Sequence, residues 1–258
     1  MFDLFSDIFA RRDNVFTRMD ARAKMIVASC LILAVICSHR IALPLVAGVL
    51  CVSTMLFLGI PRSIVLLRLA APLGIVVVLI AAQTFLTKGT PIYSISVHDF
   101  ELTATHEGLE RGLLMGSRVL GSVSVILLLG AVTPAFKIFH ALRWFRVPEG
   151  WVEIALLVYR YTFALLDQTA DVAAAQSTRL GYSSVRRSIS SVGVLAGTVL
   201  TRCIDQAMRT HEAMMLRGYQ GRFPFAPIPR MATSEVRNVC FAVSGIIALY
   251  TILEWWPG

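Results

Sequence analysis

Five long apolar runs constrain this chain more than any other feature. Met25–Ser38, Ile41–Gly59, Ile64–Leu86, Leu113–Thr133 and Val239–Trp256 are each bounded by charge, turn residues or proline. Most approach the ~20 helical residues needed to cross a hydrocarbon core of about 30 Å. The first is short, so Ala21 and Ala23, or a thinned bilayer, must help it. With 56% hydrophobic and 16% charged residues and a mean hydropathy of +0.70, too few polar side chains remain to cover a soluble surface. The expectation is an all-α integral membrane protein. No cleavable signal peptide is expected, because Phe2–Asp20 carries Asp3, Asp7, Arg11, Arg12, Asp13 and Arg18 and no apolar core of its own.

The formal charge of +8 raises nucleic acid as a partner, but its placement argues against that. The basic residues flank apolar runs and have few aromatic neighbours on which bases could stack, a pattern of topology signals and lipid headgroup contacts. The five cysteines (Cys30, Cys37, Cys51, Cys203, Cys240) fall mainly in apolar segments without CxxC spacing, so they read as small buried residues rather than disulfides or metal ligands.

A sixth run, Trp151–Leu166, carries Glu153 and Arg160, and charge parity decides its place. Arg11, Arg12, Arg18, Arg22 and Lys24 put the N-terminal segment on the cytoplasmic side. His39–Arg40 then lies outside and the Gly59–Ser63 turn inside. The acidic loop Thr87–Gly112 falls outside, and Pro134–Pro148, with Lys137, Arg143 and Arg146, returns inside. If Trp151–Leu166 crossed, nine arginines between Arg179 and Arg237 would be exported, against the positive-inside rule. The consistent solution has about five transmembrane helices. Four lie in an N-terminal membrane region (1–133), a cytoplasmic block of one short and two long helices follows (134–237), and a last span closes the chain (238–258), its C-terminus outside.

Within the block, Pro134 suits the first position of a helix capped by Thr133, and Val147-Pro148 stops that helix after Arg146. Phe136, Phe139, Leu142 and Phe145 form its apolar stripe, suited to a membrane surface or a helix neighbour. Longer helices are expected over about Glu149–Leu180 and Ser184–Leu216, with Gly181 and Gly218 as left-handed terminators. Ala170, Ala173, Ala174, Gly193, Ala196 and Gly197 would let the two cross closely.

Catalytic motifs are scarce. His211-Glu212-Ala213-Met214-Met215 begins like a zinc-protease motif but has Met215 where the second histidine must stand, so it reads as an exposed polar turn. His98, Asp99, Glu101, His106 and Glu107 offer possible cation ligands in the external loop, though a solvated acidic loop explains them as well. No Walker A pattern, GxGxxG, nucleophile elbow or paired catalytic carboxylate occurs. Arg68, Arg118 and Arg160 lie within apolar segments; Arg68 and Arg118 sit near span ends, where snorkelling suffices.

The sharper signal is a repeat at the ends of the two long helices. Ser177-Thr178-Arg179-Leu180-Gly181-Tyr182 and Met215-Leu216-Arg217-Gly218-Tyr219 each place arginine at the helix C-terminus, followed by glycine and tyrosine. A single arginine there would only complement the helix dipole, by ~0.3–1 kcal/mol. Two, closing consecutive helices on a cytoplasmic projection, favour docking tips whose guanidinium forks bind a partner's carboxylates.

The chain resembles the transmembrane coupling (T) component of energy-coupling factor (ECF) ABC transporters, of the cobalt-transport permease CbiQ type. Asp20-Ala21-Arg22-Ala23-Lys24 is similar to that family's D-x-R-x-K opening, Thr133-Pro134 and Leu142 through Val147-Pro148 to its T-P…L…L-x-V-P stretch, and Tyr159-Arg160-Tyr161 to its Y-R-Y. The tips resemble its paired Ala-Arg-Gly signatures, with Thr178 and Leu180 replacing Ala and Gly at the first and Leu216 replacing Ala at the second. The resemblance implies a non-catalytic scaffold. Arg179, Arg217, Gly218, Thr178 and Leu216 would couple to two cytoplasmic ABC ATPases, and Pro134, Pro148 and Arg160 would shape the coupling helices. The chain itself would bind no cofactor or metal. ATP and Mg would sit on the ATPases, and a substrate-binding membrane subunit, with a small accessory membrane protein, would complete an importer in the bacterial inner membrane. A nickel or vitamin (biotin) importer shares most of these features. An intramembrane enzyme and a stand-alone secondary carrier are the alternatives from other classes.

Overall fold

The computed structural model describes residues 19–87, 90–97, 100–221 and 231–255. In chain order the elements are α1 (Ala21–Cys37), α2 (Ala42–Phe57), α3 (Arg62–Leu86), β1 (Pro91–Val97), β2 (Phe100–Thr105), α4 (His106–Val132), α5 (Ala135–Trp144), α6 (Glu149–Thr178), α7 (Val185–Leu216) and α8 (Thr233–Trp255). They form two compact units, Met1–Ile138 with Pro229–Gly258, and Phe139–Ile228.

By length and composition, α3, α4 and α8 are the helices among the described residues able to cross a membrane. Of the other two expected spans, α2 is apolar but has only 16 residues and α1 has 17. The 30-residue α6, which contains Trp151–Leu166, is not a candidate span, its apolar stretch being interrupted by Glu153, Arg160 and Asp167.

The first unit is a layer of helices whose directions can be read from contacts at both ends. At one end the Asp20 backbone N–H donates to Glu235 Oε1 (2.9 Å) and Lys24 Nζ donates to the Val132 carbonyl (3.3 Å). At the other the His39 N–H donates to Glu254 Oε1 (2.9 Å) and the Tyr250 hydroxyl to the Cys37 carbonyl (3.4 Å). α1 and α8 are therefore parallel, and α4 finishes where both of them begin. The segment between α4 and α8 leaves and rejoins this layer at the same end.

The layer is held by a stripe of small residues on α4. Gly108, Gly112 and Gly116 recur at four-residue spacing against α3, and Gly121 meets α2. A Cβ on Gly108 would stand 2.5 Å from the Gln83 carbonyl oxygen, one on Gly112 3.0 Å from the Ile80 Cα, and one on Gly121 2.8 Å from the Pro44 carbonyl oxygen. In lipid, helix association depends on such close backbone approach, because hydrophobic expulsion from water is not available. Ser117 and Ser124 continue the buried face, their hydroxyls returned to the carbonyls of Leu114 (2.8 Å) and Leu120 (2.7 Å).

Arg118 shows how an intramembrane charge is accommodated. Its guanidinium does not merely snorkel: Nε (3.1 Å) and Nη2 (2.5 Å) both donate to the carbonyl of Ser38, the fully buried C-cap of α1. An orphan carbonyl at a helix end and an arginine in an apolar segment satisfy one another.

The sequence reading differs from the structure at the α3–α4 connection, the start of α4, Thr133 and the cysteines. The acidic connection expected as a loop contains an antiparallel hairpin, with Ile95 opposite Leu102 and Val97 opposite Phe100, because alternating β-branched and aromatic residues suit a pleated ribbon. α4 then begins at His106, seven residues before the apolar run. The Thr133 hydroxyl, expected to cap α5, is buried without a hydrogen-bond partner among the described residues, and the Pro134 carbonyl instead receives the first helical bonds, from Lys137 (3.0 Å) and Ile138 (3.3 Å). Of the cysteines, all five are free thiols, but only Cys51 is buried; Cys37 and Cys240 are exposed on apolar helices.

Replacing Gly108 or Gly121 with alanine should cost ~1–3 kcal/mol through overpacking against backbone, read as a lower unfolding temperature in detergent. Gly130→Ala, whose Cβ would meet nothing within 4 Å, should be neutral or slightly stabilising, since a helical glycine costs up to ~1 kcal/mol relative to alanine.

Candidate functional site: two arginine-capped helix ends

The second unit is built around α6 and α7, and four contacts set their pairing. Near the connecting turn, Gln176 Nε2 donates to the Ser191 carbonyl (3.1 Å) and Ser191 Oγ to the Gly181 carbonyl (2.9 Å). Farther along, the hydroxyls of Tyr161 and Thr210 lie 3.1 Å apart. At the far end the Tyr219 hydroxyl donates to Glu153 Oε2 (3.3 Å). Partial burial and the Glu153 carboxylate together hold the Tyr219 phenol above its ordinary pKa. The helices are thus antiparallel, and the end of α6 and the end of α7 fall at opposite ends of the pair. With 30 and 32 residues at 1.5 Å each, that separation is roughly 45 Å.

Both ends use the same backbone device. Arg179 is the C-cap of α6; the Leu180 N–H donates to the Ser177 carbonyl (3.1 Å) and the Gly181 N–H to Gln176 (2.9 Å). Arg217 is the C-cap of α7; the Gly218 N–H donates to the Met215 carbonyl (3.0 Å) and the Tyr219 N–H to Met214 (3.0 Å). These are Schellman motifs, which satisfy the last carbonyls by reversing the chain through one left-handed residue. That residue is Gly218 (φ 80°) in one and Leu180 (φ 56°) in the other. Gly181, expected as the left-handed position, stands one residue later, where a Cβ would meet the Gln176 carbonyl oxygen at 2.8 Å.

The expected coupling residues are displayed rather than packed. Thr178, Arg179, Leu216, Arg217 and Gly218 are all exposed, and the Thr178 hydroxyl is returned to the Ala175 carbonyl (2.8 Å). Neither guanidinium makes an ion pair among the described residues, while Leu180 (67% exposed) and Leu216 (90% exposed) flank the arginines with apolar surface.

Pro148 is the N-cap of α6, and Arg143 Nη2 lies 2.8 Å from Glu149 Oε1, fixing the α5–α6 corner. α5 closes as the long helices do, with Arg146 in the left-handed position (φ 63°). In Tyr159-Arg160-Tyr161 the side chains diverge. Tyr159 packs edge-on against Phe139 (5.8 Å) and Phe163 (5.2 Å), Tyr161 reaches α7, and exposed Arg160 stands 5.9 Å from the Tyr161 ring centre. Phe139 of the predicted apolar stripe thus finds a helix neighbour. Gly193 and Gly197 do not bring α6 and α7 together, since a Cβ on either would meet nothing within 4 Å. The Glu153–Tyr219 and Gln176–Ser191 contacts had no sequence signal; polar residues on long helices gain meaning only once paired.

His211 and Glu212 are exposed, as an incomplete zinc motif should be. His98 and Asp99 lie outside the described residues. The Glu107 carboxylate accepts the Thr90 N–H (2.8 Å), and no group of three metal-ligating side chains forms among the described residues.

The helical layer and the paired capped helices define a polytopic membrane protein with a long-helix hairpin between its last two membrane-layer helices. Residues 12–225 match the family described as Cobalt transport protein, CbiQ, and the chain belongs to that family. It is 31% identical over 137 residues to the cobalt transport protein CbiQ of Rhodobacter capsulatus, covering 53% of this chain and 56% of that one. Against CbiQ of Salmonella typhimurium the figures are 27% over 158 residues, 60% and 70%. An uncharacterized protein of Methanocaldococcus jannaschii, MJ1089, is 30% identical over 210 residues, 81% of this chain and 78% of its own length.

Leu180→Gly should relieve the left-handed leucine and Gly218→Leu should introduce the same strain, each by about 1 kcal/mol. Opposite shifts in the unfolding transition of the detergent-solubilised protein would verify this.

Proposed function

We propose that this chain is the non-catalytic membrane scaffold of an ATP-driven ECF-type cobalt importer, passing ATPase movement to a substrate-binding membrane subunit. The observation that carries the reading is the pair of exposed arginine C-caps at opposite ends of one antiparallel helix pair. Ends roughly 45 Å apart cannot grip one small ligand together. They suit two separate partners, one for each half of an ATPase dimer. Each guanidinium would bind an ATPase carboxylate bidentately, with Leu180 or Leu216 buried beside it and Thr178 and Gly218 shaping the contact. Closure of the ATPases on ATP and Mg would move the two ends of a stiff lever. The chain supplies neither nucleotide site nor cofactor.

In this reading α1, α2, α3, α4 and α8 make five crossings of the bacterial inner membrane. The helix directions in the first unit support this, because the α5–α7 excursion departs and returns at one end. The basic residues support a cytoplasmic location for that end, with the C-terminus outside. Cobalt as cargo rests on family membership and on the naming of the relatives; the tips themselves are indifferent to cargo.

Arg179→Glu and Arg217→Glu should each weaken ATPase association by ten- to a hundredfold, since a hydrogen bond to a charged group contributes ~1.5–3 kcal/mol. The double variant should insert normally, lose ATPase co-purification and abolish cobalt uptake by the assembled transporter. Unchanged co-purification and uptake in the double variant would refute the coupling role.

A further inference from the structure

Arg179 and Arg217 close their helices in the same way, but the tyrosines that follow them are tied differently. At the α6 end the Tyr182 hydroxyl donates to Gln176 Oε1 (2.8 Å), which belongs to the same helix end. At the α7 end the Tyr219 hydroxyl instead crosses to Glu153 Oε2 (3.3 Å), 66 residues away near the start of α6. Glu153 is buried and Tyr219 half-buried, although the neighbouring Arg217 and Gly218 are exposed.

The two ends also differ in what stands behind them. α6 runs into α7 through the short turn Arg179–Ser184, so movement of the first tip passes along the chain itself. α7 has no covalent continuation into the start of α6. Its last turns stand off α6 across an open cavity of about 440 Å³, lined by Leu157 and Val158 on one side and His211 and Met214 on the other. The Tyr161–Thr210 contact lies farther down, seven residues before Arg217, or about 10 Å along the helix. Tyr219 therefore braces the overhanging end at its tip. Its acceptor is well anchored, since Glu149, one turn before Glu153 on the same helix, is held by Arg143 (2.8 Å). Mechanical coupling needs such a connected path of bonds between rigid elements.

We infer that Tyr219 is a positioning residue for energy coupling: its hydroxyl, held by Glu153, carries movement of the Arg217 tip across to the start of α6. The inference rests on the scaffold reading above and makes the two tips mechanically unequal, because Tyr182 bridges no comparable gap.

The test uses the full chain, first alone in detergent and then assembled with its ATPases and substrate-binding subunit. Tyr219→Phe removes the hydroxyl and leaves both arginines in place. In the chain alone, amide hydrogen exchange over residues 214–220 should run about fivefold faster, as for one lost hydrogen bond. Tyr182→Phe should leave exchange at that end unchanged. In the assembly, Tyr219→Phe should retain the ATPases but lower the cobalt taken up per ATP hydrolysed by about fivefold, and Tyr182→Phe should not. Glu153→Leu should uncouple to the same degree, and combining it with Tyr219→Phe should add nothing further. Unchanged exchange, unchanged uptake per ATP, release of the ATPases by Tyr219→Phe, or losses that simply add would each overturn the inference. If Glu153→Leu does not fold, Tyr219→Phe decides. ATPases that stay bound to the Arg179→Glu, Arg217→Glu double variant would instead overturn the scaffold reading, and this inference with it.

Discussion

The backbone contact between α3 and α4 is the constraint on which the membrane layer rests. Gly108, Gly112 and Gly116 let α4 lie directly on the Gln83, Ile80 and Val76 turns of α3, and Gly121 does the same for the Pro44 turn of α2. Where no water is available to drive helices together, close approach and the dispersion it permits must do so. Once α4 is fixed, its other side chains find their partners. Arg118 reaches the buried Ser38 carbonyl at one end, and the Val132 carbonyl meets Lys24 at the other. Two charges in apolar helices thereby become ties between helix ends.

The second unit follows a different logic. Its helices are more than twice the ~11–12-residue average and touch at a few polar points rather than through a continuous core. Their lengths are defined by sharp ends. α5, α6 and α7 each stop in a Schellman turn, and only α7 uses glycine for the left-handed residue. The ~1–2 kcal/mol cost of a left-handed side chain is accepted at Arg146 and Leu180 because the turns there are closed by further bonds. At α6 the Gln176–Ser191–Gly181 contacts hold the turn, and at α5 the Arg143–Glu149 pair secures the corner.

Much of this was legible in the residues. Three of the five apolar runs, in α3, α4 and α8, give helices long and apolar enough to cross a membrane because length and hydropathy are local properties, and proline and glycine mark the helix ends because backbone geometry is local too. Arg179 and Arg217 stand at matching C-caps, as their common context implied. The hairpin between α3 and α4 was hidden by a charge pattern that reads equally well as a loop. The roles of Gly193 and Gly197 were misread, since small size permits a close crossing without requiring one.

The sequence by itself determined the class of protein and the two arginines at matching helix ends, both consequences of composition and near-neighbour order. Only the tertiary structure decided that the tips lie at opposite ends of one helix pair, that the glycine stripe in use belongs to α4, and that Lys24 and Arg118 serve helix ends far away in the chain. The reason is physical: those facts depend on pairings between residues 25 to 108 positions apart, whose energies exist only after the backbones have met.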